Sequence, residues 1–227
     1  MRSMRSDERV FMVGNGPSLS PQDLNMIAGE ISFGLNGAAK VFPYTRWRPT
    51  YYVGVSSASR DTEFRVLMQR GIDAARWSWV WQKATYFHSD KMTMVRCTHA
   101  GKGVDDIEES WWSDNPDDSV CNFGTSMIAA MQVAAQMRFR YMILLGVDCY
   151  WTGEFDHMVP GYRTPGIKPD PGWNEQNNRE QPLAYDKIAR PNLERLGIRV
   201  LNATRGGRLE VWPRVMLEEV LAVSNGS

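Results

Sequence analysis

The stretch Val10-Phe11-Met12-Val13-Gly14-Asn15-Gly16-Pro17-Ser18-Leu19 constrains the fold of this chain more than any other. An apolar run of strand type empties into Gly-Asn-Gly-Pro-Ser, a turn that only glycine-rich sequence makes, and a helix-like segment follows from near Pro21. Strand, tight turn and helix in that order form a phosphate-cradling layout. Glycines let a ligand approach the backbone, and the first amides of the helix carry partial positive charge. Ser18 and Ser20 add hydroxyl donors. The spacing lacks the third glycine of the dinucleotide fingerprint and the Gly-Lys-Ser/Thr ending of a P-loop. An ordinary strand-to-helix turn explains the same residues.

Other strand ends repeat the theme. Glu30 to Asn36 reads as a second strand that closes on Asn36-Gly37, and Pro49 to Val55 as a third that runs into Ser56-Ser57-Ala58-Ser59, a cap for a helix from Asp61 to Arg70. The Ala- and Met-rich segment Ser126–Met137 is a strong helix former, apolar on nearly all sides, and follows Asn122-Phe123-Gly124-Thr125. Tyr141 to Val147 has the continuous apolar character of a central parallel strand, and Asp148 ends it. Open α/β sheets bind ligands at the carboxyl edge, so Gly14–Ser18, Asn36, Ser56, Gly124–Ser126 and Asp148 are the candidate site. Each has a local alternative as a turn or cap residue.

Elsewhere the pattern is weaker. Trp77–Trp81 alternates as a strand does, Thr85–His88 reads as another, and the acidic zone from Asp105 to Asp118 reads as a solvated face. Trp151 to Gln181 is rich in Gly, Pro, Asp and Asn and reads as a lid or substrate loop; it contains His157, an imidazole suited to proton transfer near neutrality. Pro182 to Leu196 reads as a helix, Ile198 to Asn202 as a strand, and Pro213 to Val223 as a closing helix. Arg205 and Arg208 flank a Gly-Gly turn between the last two, where they could hold a phosphate or carboxylate or lie on the surface.

With 227 residues, 43% of them hydrophobic, the chain is expected to form one Rossmann-like α/β domain over residues 1–227, with 151–181 as its insertion. Lys plus Arg and Asp plus Glu number 26 each, so no basic surplus argues for nucleic acid. Three widely spaced cysteines fit reduced thiols in a cytoplasmic protein. The N-terminus has no apolar core of a secretory signal and no run approaches a membrane span, so any membrane contact is expected to be peripheral. The nine tryptophans read mainly as core and loop packing; the alternative is that some line a sugar-binding surface.

The residues Val13–Leu19, Asn36, Gly124-Thr125-Ser126 and Leu145–Tyr150, in that order, resemble the bacterial sialyltransferases of glycosyltransferase family 42. They are also similar to the wider DUF115 group of 6-hydroxymethylpterin diphosphokinase-like proteins. The resemblance runs from about Val10 to Val211, and these motifs are its specific part. It implies transfer of a sugar, sialic acid or a relative, from a CMP-sugar to a carbohydrate acceptor, with no essential metal. It implies that the loop of Gly14, Asn15, Gly16, Pro17 and Ser18 binds the CMP through Asn15, Gly16 and Ser18 together with Asn36, that Thr125 and Ser126 touch the donor, and that Tyr150 steadies the departing phosphate. The family's general-base histidine has no counterpart in Gln181-Pro182-Leu183-Ala184-Tyr185, which leaves His157 as the substitute. The diphosphokinase alternative calls for Mg²⁺, with Asp148 and Asp156 as ligands, and lacks its histidine-rich motif here. A nucleotide-binding protein without chemistry is the third reading.

Overall fold

A computed structural model of the protein describes residues 6–56, 61–99, 102–151, 157–158 and 171–223. Eight strands form one parallel sheet: β1 (Arg9–Val13), β2 (Ser32–Leu35), β3 (Tyr51–Gly54), β4 (Trp77–Trp81), β5 (Met92–Thr98), β6 (Ser119–Cys121), β7 (Tyr141–Leu145) and β8 (Arg199–Asn202). The spatial order is β6-β5-β4-β3-β2-β1-β7-β8. The chain steps outward from β1 to β6, then returns past its starting point so that β7 pairs with β1, Val13 beside Leu145. This is a Rossmann-like α/β fold, and β1 and β7 flank its topological switch point.

Alternation along the strands sends side chains to two buried faces. Val10, Met12, Phe33, Val53, Met142 and Leu144 face α3 (Ser126–Gln136) and the helical segment that runs from α4 (Pro171–Ala184) through a π turn at Tyr185–Ala189 into α5 (Arg190–Arg195). Phe11, Val13, Ile143 and Leu145 face α1 (Pro21–Met26), the 3-10 segment Asn36–Tyr44 and α6 (Leu217–Ala222). Farther along that second face, Tyr52 and Val80 pack on Met68 and Ile72 of α2 (Thr62–Ala74). The loop after β1 therefore leads toward one layer of helices and the loop after β7 toward the other. The divergence opens the crevice at the carboxyl edge.

Several expectations need correction. Thr85–His88 is a turn followed by irregular chain, and the strand of this region is β5 instead. The short β6 was not expected at all. The cap of α2 is Asp61, whose carboxylate accepts from the Phe64 amide at 3.0 Å, rather than the preceding serines, of which Ser57 and Ser59 lie outside the described residues. Residues 171–181, expected within a loop, are helical, so the helix expected from Pro182 begins at Pro171. The rest of the expected lid, apart from Trp151, His157 and Met158, lies outside the described residues. Among the described residues no helix is long and apolar enough to cross a membrane. Trp47, Trp79, Trp112 and Trp212 are buried, as a packing role requires.

Gln132 ties α3 to the far edge of the sheet. Fully buried, it accepts from the amides of Ser113 and Cys121 at 2.8 and 3.0 Å and donates to the carbonyls of Cys121 and Ile128, both at 2.9 Å. Leucine would fill the same volume and leave buried backbone groups unsatisfied. Gln132→Leu is expected to lower unfolding free energy by about 2–5 kcal/mol in denaturant titration; a change below about 0.5 kcal/mol would show that the bonds add nothing to the fold.

Candidate active site

The glycine loop is closed on itself and on its neighbour. Gly14 donates its amide to Leu145 O at 2.8 Å, Gly16 to Gly146 O at 2.9 Å, and Leu19 back to Gly16 O at 3.2 Å. Ser18 donates its amide to Asp148 Oδ1 at 3.3 Å and its hydroxyl to Asp148 Oδ2 at 2.9 Å. Only glycine fits at 16, because a side chain there would overlap Asp148 Oδ2 and crowd the Gly146 carbonyl. On the facing strand end, Gly146 and Cys149 take positive φ (67° and 49°), which turns the Asp148 carboxyl inward.

These bonds redirect the expected phosphate cradle. The amides of Gly14, Gly16, Ser18 and Leu19 point at protein acceptors, and the Ser18 hydroxyl is engaged by Asp148. Ser20 is likewise committed: it caps α1, its hydroxyl donating to Asp23 Oδ2 at 2.7 Å and accepting from the Asp23 amide at 3.1 Å. A six-residue helix with a carboxylate in its first turn offers an anion little.

Polar side chains gather at the next strand ends. Asn15 Nδ2 donates to Leu35 O at 3.2 Å. Asn36, in the left-handed region at φ 44°, donates to Ser126 Oγ at 3.0 Å, accepts from the Val55 amide at 3.1 Å, and receives the Tyr52 hydroxyl on its carbonyl. Asn tolerates this backbone better than most residues, and strained positions of this kind concentrate at functional sites. Asn122, at the end of β6, donates to Val55 O at 3.2 Å, while its buried Oδ1 has no hydrogen-bond partner among the described residues. The first and second strand ends and the start of α3 thus form one connected polar wall. Ser56 is half-buried beside it and Pro17 is exposed.

Thr125 and Gly124 serve a different purpose. Thr125 is the N-cap of α3, accepting from the Met127 amide at 3.3 Å, and its hydroxyl also meets Tyr185, whose phenol burial pushes well above its ordinary pKa. Gly124, at φ 68°, lies against the Glu180 carbonyl and Ala184 of α4. The helix that takes up the end of the expected lid therefore roofs the start of α3. Its inward face is polar: Asn174, Glu180 and Gln181 are buried, and Asn178 brackets Trp151, accepting its amide at 2.6 Å and donating to its carbonyl at 2.9 Å. The sequence carries a trace of this face in polar residues four and then three apart, Asn174, Asn178 and Gln181.

Trp151 stands edge-on to His157, ring centres 5.1 Å apart, and the Met158 amide donates to Asn15 O at 2.9 Å. The structure thus brings the His157 segment against the glycine loop. Tyr150 is 37% exposed and lies beneath the Arg208 guanidinium. Asp156, the second ligand of the Mg²⁺ alternative, is outside the described residues, and among the described residues no three His, Cys, Asp or Glu side chains converge as a metal site. The cysteines are free thiols; burial pushes Cys121 up to about 11 and Cys97 up to about 12.

Solved structures share this arrangement of strands and helices. The Maf glycosyltransferase from Magnetospirillum magneticum AMB-1 superposes with a TM-score of 0.56 at 13% identity, over 99% of this chain and 38% of that one. The α-2,3-sialyltransferase Cst-I from Campylobacter jejuni gives 0.51 at 13% identity, over 96% of this chain and 83% of its own. The sialyltransferase CstII from Campylobacter jejuni, solved with the substrate analogue cytidine-5'-monophosphate, gives 0.51 at 12% identity over 92% and 84%. The chain has the fold of these glycosyltransferases. It spans well under half the length of the Maf enzyme. No protein-family model matches the sequence, and no curated protein does.

Burial pushes the Asp148 carboxyl up from its ordinary pKa, against the opposing pull of the Ser18 bonds and the Arg214 charge. The folded chain therefore holds this proton more tightly than the unfolded chain. Its contribution to stability is complete below the ordinary carboxyl range and is lost as pH rises through the elevated folded value. Asp148→Asn removes that dependence. In denaturant titrations from about pH 3 to pH 7, the stability of wild type relative to the variant is expected to fall as pH rises; a flat or rising difference would contradict a raised Asp148 pKa.

Proposed function

We propose that this chain is a glycosyltransferase that uses a CMP-sugar, sialic acid being the leading candidate sugar, and passes the sugar to a carbohydrate hydroxyl. The observation that carries the reading is the polar wall of Asn15, Asn36 and Ser126 at the switch point of a sheet shared with enzymes of this class, one of them solved with CMP. In this reading Asn15, Gly16, Asn36 and Ser126 face the nucleotide, with Gly14, Pro17 and Ser56 shaping its surroundings. Gly124 and Thr125 act through the start of α3. Asp148 and Ser18 act by holding the loops after β1 and β7 in register rather than by touching the donor.

The chemistry follows from that placement. The acceptor oxygen attacks the anomeric carbon, the bond from that carbon to the phosphate oxygen breaks, and CMP leaves with the electron pair. A base removes the acceptor proton, and His157, held one residue from the contact with Asn15, is its proposed source. Tyr150 is the proposed group that steadies the departing phosphate. Nothing in this scheme requires a metal. The unpaired thiols fit the reducing cytoplasm as its site of action.

A thermal-shift series with CMP, CDP, UDP, GDP and ATP, each with and without Mg²⁺, tests the reading. CMP at about 100 times its Kd is expected to raise Tm by roughly 5–10 °C with or without the metal. Asn15→Ala is expected to abolish that shift. Stabilisation only by ATP with Mg²⁺ would contradict the proposal and favour diphosphate transfer. Binding of CMP without sugar transfer in any acceptor assay would leave a nucleotide-binding protein.

A further inference from the structure

The segment after β8 carries Arg205, Arg208 and Arg214, and the structure sorts them by what they already hold. Arg205 is matched by two carboxylates, Asp23 Oδ1 at 2.7 Å and Glu218 Oε1 at 2.6 Å. Arg214 donates to Glu210 Oε1 at 2.9 Å and to the carbonyls of Thr204, Gly206 and Gly207 at 3.0–3.2 Å. Among the described residues the Arg208 guanidinium has no carboxylate or carbonyl acceptor; its central carbon lies 3.7 Å from the centre of the Tyr150 ring. Of the three, and among the described residues, Arg208 alone keeps its guanidinium hydrogen-bonding capacity for something else.

Its position is set by the main chain. The Arg208 amide donates to the Asp148 carbonyl at 2.7 Å, and Gly207 precedes it at φ 77°, where any side chain would overlap that same carbonyl. Gly206 lies beside Ser18. The turn is therefore pressed against the loop after β7 at the point where that loop meets the glycine loop. Stacking then orients the side chain: one face of the guanidinium is given to the Tyr150 ring, while the N–H groups radiate in its plane and stay open at the edge. A planar fork held this way loses little entropy when it takes a second partner, and its geometry suits two oxygens of a phosphate.

In the glycine loop the amides of Gly14, Gly16, Ser18 and Leu19 are spent on Leu145, Gly146, Asp148 and the loop's own carbonyl, so these four are not offered to an anion. We propose that Arg208, stacked on Tyr150, binds the phosphate of the nucleotide and so replaces the backbone cradle that the Gly-Asn-Gly-Pro-Ser motif leads one to expect. The inference rests on the nucleotide-donor reading above. It divides the site in two: the nucleoside against the wall of Asn15, Asn36 and Ser126, and the phosphate across the switch point against the turn after β8.

Isothermal titration with CMP and with cytidine at fixed ionic strength separates the two halves. Wild type is expected to bind CMP more tightly than cytidine. Arg208→Gln is expected to weaken CMP by about 10–100-fold and to leave cytidine unchanged, while Arg208→Lys recovers only part of the loss because an ammonium lacks the planar fork. Arg208 is exposed, so the Tm of both variants without ligand should match wild type. If Arg208→Gln binds CMP as wild type does, or weakens CMP and cytidine alike, the phosphate role is overturned and the nucleotide reading stands. If wild type shows no preference for CMP over cytidine, the phosphate role is also overturned. If wild type binds neither, both fall.

Discussion

One buried carboxylate joins the two loops on which the candidate site depends. Asp148 receives both the amide and the hydroxyl of Ser18, 130 residues earlier in the chain, and its own carbonyl receives the Arg208 amide. Through these three bonds the loops after β1, β7 and β8 become one body. The arrangement costs desolvation of the carboxyl, which the Ser18 bonds offset only in part, so its raised pKa and its structural role have the same origin. Glycine at 16 and at 207 follows from it, since a side chain at either position would occupy space that Asp148 fills.

The proposed function divides its labour across the switch point. On the β2 side, carboxamides and a hydroxyl present neutral donors and acceptors, suited to a base or a ribose. On the β8 side stand a cation and an aromatic ring, suited to a phosphate. The roof over the start of α3 is polar as well, with Asn178 gripping Trp151 and Glu180 resting on Gly124. Under the proposed reading, such a site suits a molecule with distinct neutral and anionic ends.

Much of the frame was legible in the residues. β1, β7 and α3 carry long apolar patterns that leave few alternatives, and their order with the glycine turn is enough to place a switch point. β5 was not legible because Met92–Thr98 mixes Thr, Arg and Cys on a half-exposed strand, and three residues of β6 are too few for any period to show. α4 was hidden by its composition: Pro171, Gly172, Asn174, Asn177 and Asn178 are turn formers in isolation, and tertiary contacts to Trp151 and Gly124 override that preference. The glycine loop shows a related limit of the sequence. Glycine spacing announces a close backbone approach but says nothing of what approaches, and here the partners are Gly146 and Asp148 of the same chain. Arg205 and Arg208 look equivalent in the sequence; only Asp23 and Glu218, brought in from other elements, distinguish them.

The central claim is that the carboxyl edge between β2 and β8 is a nucleotide site. Amide-resolved NMR during a CMP titration of the ¹⁵N-labelled protein tests it most directly. The account predicts perturbations clustered at Asn15, Asn36, Val55, Ser126, Tyr150 and Arg208. At the opposite end of the sheet lies an open depression of about 330 Å³ lined by Asn25, Met26, Ala28, Gly29, Glu30 and Arg46. Perturbations gathered there, or none at the carboxyl edge at saturating CMP, would contradict the account.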